Sequence, residues 1–405
     1  MSSKKKKNKK KKPNLLQRGI LRLGRFLFRI SMKKKYGFYI ENPVTVDEPF
    51  IAMSNHATDN DMMFTILGIK NFMYFVCSEH LFRGDFGAKL LVHLMDEIPL
   101  FKGSVAASTT REIIKRIRDG NNICIFPEGS RTFDGRTNPI AESTGKLVKI
   151  AKCALVTFHM QGGYFVQPRW AKTWRRGPIS GAVVKVYSSQ ELEKMSVEEI
   201  NAIIRRDLHE DAYETQEKNP QKYTGERLAE GIENILYMCP HCGGFETIRS
   251  KDNRFWCEAC DMEAVYDEYG MFSGKHVVYP TVPKWVDWEE QVFEEQYADP
   301  DYVFGYRNEN VTLSEIHTDH TQTDLMTGTL TADREGMYIG DYRFLYTEME
   351  GTEYINLGNT FLFSYHNVYY SMQSDYLCGV KYRKLYIRRK ELEAAQKGKR
   401  FDKAK

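Results

Sequence analysis

Over residues 36–213, short apolar runs alternate with stretches of helical period. The runs "PFIAMSN" (49–55), "MYFVC" (73–77), "IPLF" (98–101), "NICIF" (122–126) and "ALVTFHM" (154–160) are short and almost continuously apolar. That pattern predicts strands buried on both faces rather than amphipathic helices. Between them, residues 61–69, 87–95, 108–118 and 143–152 carry the spacing of helices. Strands alternating with helices predict an α/β fold, a mainly parallel sheet flanked by helices. "ISGAVVKVYSS" adds a late strand and "VEEINAIIRRDLHEDAY" a closing helix.

Beyond residue 213 the pattern changes. Residues 214–236 read as a polar linker, "TQEKNPQKYTGER", with a short helical stretch. Residues 237–272 hold a cysteine cluster. Residues 273–405 open on a helix, "TVPKWVDWEEQVFEEQY". From 328 to 389, Tyr-, Phe- and Ile-rich runs are broken by "REG", "GDY", "EGTE" and "LGN". These predict a small antiparallel β domain, closed by the helix "RRKELEAAQKGK".

Residues 1–35 form a separate arm. They carry fifteen lysines and arginines and no acid, against a net charge of +4 for all 405 residues. The body is therefore acidic and the arm basic, which suits a polyanionic partner. In "NLLQRGILRLGRFLFRI", Arg18, Arg22, Arg25 and Arg29 fall on one stripe of a helix, with Leu16, Ile20, Leu23, Leu27 and Ile30 opposite. Crossing a bilayer with four arginines near its centre would cost roughly 10 kcal/mol. Lying flat avoids that cost, and lysines nearby are drawn to anionic lipid. The arm is expected to bind an anionic membrane surface without spanning it. That places the protein in the cytoplasm, peripheral on the inner face of a membrane. Arginine interrupts the apolar region, which argues against a secretory signal.

The cysteines follow a reduced, intracellular pattern rather than a disulfide framework. Cys239, Cys242, Cys257 and Cys260 stand in "CPHCGGFETIRSKDNRFWCEAC", a C-x2-C-x14-C-x2-C spacing. Two such hooks present four thiolates as a tetrahedron, suited to zinc. A closed four-cysteine site has no open coordination position, so the zinc is expected to be structural. Zinc ribbons also bind nucleic acids and proteins. A non-enzymatic ribbon protein gripping nucleic acid or anionic lipid through its lysine-rich arm is therefore a competing reading.

In an open parallel sheet, ligands bind beyond the carboxyl ends of the strands. His56 directly follows the first strand, "PEGSR" follows "NICIF", and Lys102 follows "IPLF". Three polar clusters thus converge on one edge. A neutral imidazole accepts a proton near pH 7. Asp61, in the first turn of the next helix, can reach back to orient His56 and stabilise its charged form. No nearby serine or cysteine forms a nucleophile elbow, so an attacking substrate hydroxyl is expected. Arg131 and the backbone N–H groups of the "PEGSR" turn suit a phosphate. Asp59 reads as a helix-start residue, Asp134 and Arg136 as turn residues, and His159 as a core histidine.

The blocks "SNHATDND" (N-H-x4-D), "IPLFKGS" and "FPEGSRT", in this order, resemble the glycerophospholipid acyltransferase (PlsC-type) family over residues 36–213. The resemblance implies that His56 deprotonates the hydroxyl of a lysophospholipid such as lysophosphatidic acid. The alkoxide then attacks the thioester of acyl-CoA or acyl-carrier protein. Asp61 orients His56. Lys102, Glu128, Gly129, Ser130 and Arg131 form the acceptor phosphate site, and no catalytic metal is needed. Three departures bear on the acceptor head group: Lys102 replaces an arginine, Ser130 the commoner threonine, and Thr157 a proline. The acidic body and broad apolar face of the arm disfavour nucleic acid. The intact H-x4-D pair disfavours a third reading, a lipid-binding regulator without turnover.

Overall fold

The computed structural model describes residues 12–38, 40, 43–78, 90, 93–100, 106–317, 321–375, 377–399 and 401. Its first sheet is built from β1 (Phe50–Ser54), β2 (Met73–Ser78), β3 (Ile98–Leu100), β4 (Asn122–Ile125), β5 (Ala154–Gln161) and β6 (Ser180–Tyr187). The strand order is β3-β2-β4-β1-β5-β6. All neighbours are parallel except β5 and β6. This is the expected α/β architecture.

The sequence explains why β1 lies at the centre. All five of its residues are buried, and alternate side chains enter different cores. Ile51 and Met53 pack with Ile123, Ile125 and Leu155 on one face. Phe50 and Ala52 pack with Cys124, Ala154 and Val156 on the other. A strand covered on both sides needs apolar residues at every position, which is what "FIAM" supplies.

The observed helices follow the predicted ones closely. The first, α1 (Leu15–Tyr36), is longer than its apolar stretch. Asn14 and Gln17 form a capping box at its start, and Gly37, at φ +62°, ends it in the left-handed conformation. Next come α2 (Asp61–Gly68), α3 (Ala106–Arg118), α4 (Ser143–Ala151) and the short α5 (Gly163–Val166). The helix expected over 87–95 lies largely outside the described residues. After α6 (Ser189–Lys194), the single closing helix is in fact two, α7 (Val197–Leu208) and α8 (Ala212–Lys218). Asp211 makes the break: its carboxylate accepts from the backbone N–H groups of Tyr213 and Glu214, which starts a new helix.

The ribbon contributes a four-stranded sheet of β7 (Ile248–Lys251), β8 (Arg254–Cys257), β9 (Glu263–Tyr266) and β10 (Phe272–Lys275). It shares a core with the first unit: Cys239, Cys257, Phe255 and Tyr266 pack in one cluster with Trp170, Phe165, Tyr164 and Phe158. The helix α9 (Val282–Ala298) latches the ribbon. Trp285 Nε1 donates to the Met238 carbonyl at 2.9 Å, and Glu289 Oε1 accepts from the N–H groups of Tyr237 (2.8 Å) and Met238 (2.9 Å).

The last sheet is larger than predicted. Seven antiparallel strands, β11 (Tyr306–Ile316), β12 (Gln322–Ala332), β13 (Gly336–Ile339), β14 (Tyr342–Leu345), β15 (Met349–Ile355), β16 (Thr360–Tyr365) and β17 (Val368–Gln373), run in the order β14-β13-β12-β11-β17-β16-β15. The closing helix α10 (Gly379–Gln396) begins earlier than "RRKELEAAQKGK". It sends Tyr382, Leu385 and Tyr386 into the core of that sheet.

Among the buried carboxyls, burial pushes those of Glu97, Glu128 and Glu289 each up to about 8. A folded pKa above the unfolded value of an acid means that unfolding releases a proton between the two. Stability is therefore lost as pH rises from about 4.5 towards 8. The melting temperature is expected to fall across that window. Glu289→Gln keeps the accepting oxygen and cannot ionise, so it should flatten the fall. Thermal melts of both proteins at pH 5, 6.5 and 8 check this; parallel curves would refute it for Glu289.

Candidate active site

β1 and β4 are parallel neighbours, so the segments leaving their carboxyl ends emerge side by side. His56 lies just beyond β1 and Glu128 just beyond β4. Two reciprocal bonds stitch the segments together. The His56 N–H donates to Glu128 Oε1 at 2.7 Å, and the Thr132 N–H donates to the His56 carbonyl at 2.9 Å. Asn55 clamps the same edge to β5: its side chain donates to the Met160 carbonyl and accepts from the Met160 N–H, both at 2.8 Å. The His56 ring lies flat against Phe126, with centroids 4.4 Å apart.

His56 Nδ1 is 2.8 Å from Asp61 Oδ2. Asp61 is the first residue of α2, and its side chain is 1% exposed against 23% for His56. Its carboxylate also accepts from the N–H groups of Ala57 (2.6 Å) and Thr58 (3.0 Å) and from the Thr58 hydroxyl (2.6 Å). Those donors fix the carboxylate as an acceptor, so His56 carries its proton on Nδ1 and a lone pair on Nε2. This arrangement can take a proton at Nε2 and stabilise the resulting imidazolium through Asp61.

The "PEGSR" turn needs glycine at its centre: Gly129 has φ +72°. Ser130 presents its carbonyl to Asn138 Nδ2 at 3.0 Å. Glu128 departs from the sequence expectation. Both its oxygens are used inward, one by the His56 N–H and the other by the Asn138 N–H at 2.6 Å. An acid so engaged holds His56 in place and turns neither oxygen to a ligand, so Glu128 is a positioning residue. Arg131 turns the other way. Its Nη1 is buried with no hydrogen-bond partner among the described residues. Its Nε is 3.3 Å from Asp59 Oδ1. Asp59 is thus not the helix-start residue that the sequence suggested; it pairs with Arg131. Lys102 lies outside the described residues.

Four further residues complete the site. Gln167 holds Asp59 twice, accepting from its N–H at 2.9 Å and donating to its Oδ2 at 2.5 Å. Arg169, buried, donates to the Arg131 carbonyl at 3.1 Å and to the Tyr354 carbonyl of β15. Its guanidinium lies over the rings of Tyr354 and Phe133. Those two rings meet edge-on at 4.8 Å. Sequence spacing gave no sign of Gln167, Arg169 or Tyr354, because each acts alone and across the fold. Arg136, read as a turn residue, does bond Asp134, at 2.6 Å; it also bonds Asp287 of α9 at 2.7 Å. His159 pairs with Glu210 at 2.9 Å.

Away from this edge, the sulfurs of Cys239, Cys242, Cys257 and Cys260 all lie within 4.8 Å of one another. Cys239 and Cys260 are 3.8 Å apart, and Cys242 and Cys257 3.7 Å. Four sulfurs bonded at about 2.3 Å to one tetrahedral ion are separated by about 3.8 Å. The N–H groups of Gly244 and Ala259 reach Cys242 and Cys257 at 3.4 Å, and the Thr247 hydroxyl reaches Cys257 at 3.1 Å. Such donors favour thiolates. The four cysteines are therefore placed to bind a metal.

The family model described as Acyltransferase matches residues 36–161. No curated protein matches the chain. Five solved chains match it. One is the 1-acyl-sn-glycerophosphate (LPA) acyltransferase PlsC from Thermotoga maritima, at 16% identity over 47% of this chain and 79% of that one, with a TM-score of 0.41. A likeness that slight carries no argument about substrate.

Proposed function

Given that residues 36–161 form a domain of the acyltransferase family, we propose that the protein transfers a fatty acyl group from acyl-CoA or acyl-carrier protein to the free hydroxyl of a lysophospholipid. The observation that carries this reading is the His56–Asp61 pair, held 2.8 Å apart beside the turn that bears Arg131. His56 Nε2 takes the hydroxyl proton while Asp61 stabilises the imidazolium. The acceptor oxygen attacks the thioester carbonyl, a C–O bond forms and the C–S bond breaks. The leaving thiolate recovers the proton from His56. Arg131, whose Nη1 has no hydrogen-bond partner among the described residues, supplies the guanidinium for the acceptor phosphate. In the ribbon, the tetrahedral spacing of the cysteine sulfurs suits structural zinc. The test is transfer from labelled acyl-CoA or acyl-carrier protein to a panel of lyso-lipids. Labelled two-chain lipid is the expected product; no product with any acceptor overturns the reading.

The proposal includes an anionic membrane surface as the working place. No described helix is long and apolar enough to cross a membrane. On α1, however, Leu15, Leu16, Leu23, Phe26, Leu27 and Ile30 share one side and are all exposed, Phe26 at 63%. Leu21, Met32 and Tyr36 face the body. There Arg25 donates to the carbonyls of Ile66 (3.1 Å), Ile69 (2.8 Å) and Asn71 (2.9 Å), at the C-terminal end of α2. The helix that carries Asp61 is thus fastened to the one with the exposed apolar side. An apolar face beside basic residues fits lipid better than nucleic acid. Phe26→Glu with Leu27→Glu is expected to weaken co-sedimentation with vesicles containing anionic lipid at least tenfold. Unchanged binding would remove α1 from the proposal.

A further inference from the structure

Asp59 raises a question of acceptor chemistry. An anion-binding arginine ordinarily gains from standing alone, yet here a carboxylate is held against it. The hold is deliberate in the geometry. Gln167 fixes Asp59 at both its N–H and its Oδ2, and Asp59 Oδ1 then lies 3.3 Å from Arg131 Nε. Arg131 therefore meets a bound head group with its charge offset by its neighbour. The nearby Arg169 supplies no replacement. It is buried, its Nη2 is 3.6 Å from Glu353, and its donors reach the carbonyls of Arg131 and Tyr354.

Charge arithmetic sorts the possible acceptors. A phosphate monoester carries about −1.5 to −2 at neutral pH. It would meet one arginine and one carboxylate, and the carboxylate repels it. A phosphodiester carries a single charge, a closer match to one arginine whose charge a carboxylate already offsets. If its head group also bears an ammonium, Asp59 offers that ammonium a partner, and at 58% exposure the carboxylate is open to it. Resting on the acyl-transfer reading, we propose that Asp59 is a specificity-determining residue. It tunes the acceptor site towards zwitterionic phosphodiester lyso-lipids and against phosphate monoesters.

The experiment compares kcat/KM for lysophosphatidic acid and for lysophosphatidylethanolamine, using the full chain on mixed vesicles. The expected result is a wild-type preference for the zwitterionic acceptor. Asp59→Asn should raise kcat/KM for the monoester about fivefold or more. The rate with the zwitterion should stay level or fall. High salt should narrow the difference between the two proteins. Asp59 is largely exposed, so the variant is expected to fold; matching melting curves check that. Gln167→Leu loosens the hold on Asp59 without removing its charge and should give an intermediate ratio. A wild type that acylates no lyso-lipid of the wider panel sinks the acyl-transfer reading together with this inference, and one active on the panel but on neither of these two lipids sinks the inference alone. An active wild type whose acceptor ratio is unmoved by Asp59→Asn sinks the inference alone.

Discussion

Exchange of His56 for alanine is expected to lower kcat for acyl transfer by about 10²–10⁴-fold, with much less effect on the apparent KM for either substrate. The imidazole is the group positioned to take the acceptor proton, and its removal leaves the anion site intact. The backbone bonds of residue 56 to Glu128 and Thr132 survive the change, so the variant should melt close to wild type. Asp61→Asn separates orientation from proton transfer. An amide cannot accept from Nδ1 and from the Ala57 and Thr58 N–H groups with the same charge, so a loss of kcat comparable to that of the histidine variant is expected. Equal rates for wild type and His56→Ala would dismiss the assigned base.

The second large effect belongs to the ribbon. Structural zinc in small cysteine sites contributes roughly 10–16 kcal/mol of apparent binding energy, which rivals the whole stability of an ordinary domain, about 5–15 kcal/mol. Chelation, or Cys239→Ser, is therefore expected to unfold residues 237–272. The damage should spread, because Cys239 and Cys257 belong to the same buried cluster as Trp170 and Tyr164 of the α/β unit. Loss of one zinc per chain by metal analysis, a fall of many degrees in melting temperature and loss of acyl transfer are the expected results. A Cys239→Ser protein that melts with wild type would show that the ribbon stands without metal.

The α/β unit was legible because of the physics of buried parallel strands. "PFIAMSN", "MYFVC", "NICIF" and "ALVTFHM" are apolar at nearly every position, and each strand lies within a residue or two of its run. β11 was missed for the opposite reason. "YRNENVTLSEI" alternates imperfectly, and bulges between Asn308 and Val311 and between Leu313 and Ser314 break the two-residue period. At the site, His56 and Asp61 were readable because both lie on one local turn at fixed spacing. The inward set of Glu128 was not, since a carboxylate in a polar turn reads the same whichever way it faces. Asp59 was sorted with helix starts by proximity alone. Its true partners, Arg131 and Gln167, come from segments that meet it only in the folded chain.

The turn after β4 rests on side chains made much later in the polypeptide. Arg136 reaches Asp287, Arg169 reaches Glu353 and Tyr354, and Phe133 meets Tyr354. A growing chain leaves the ribosome from its N-terminus, so every motif residue emerges before those supports exist. The full set of supports is complete only once β15 has been made. A fragment cut after α8 would hold all the motif residues and none of these three supports. An engineer seeking a minimal version of this protein should trim elsewhere.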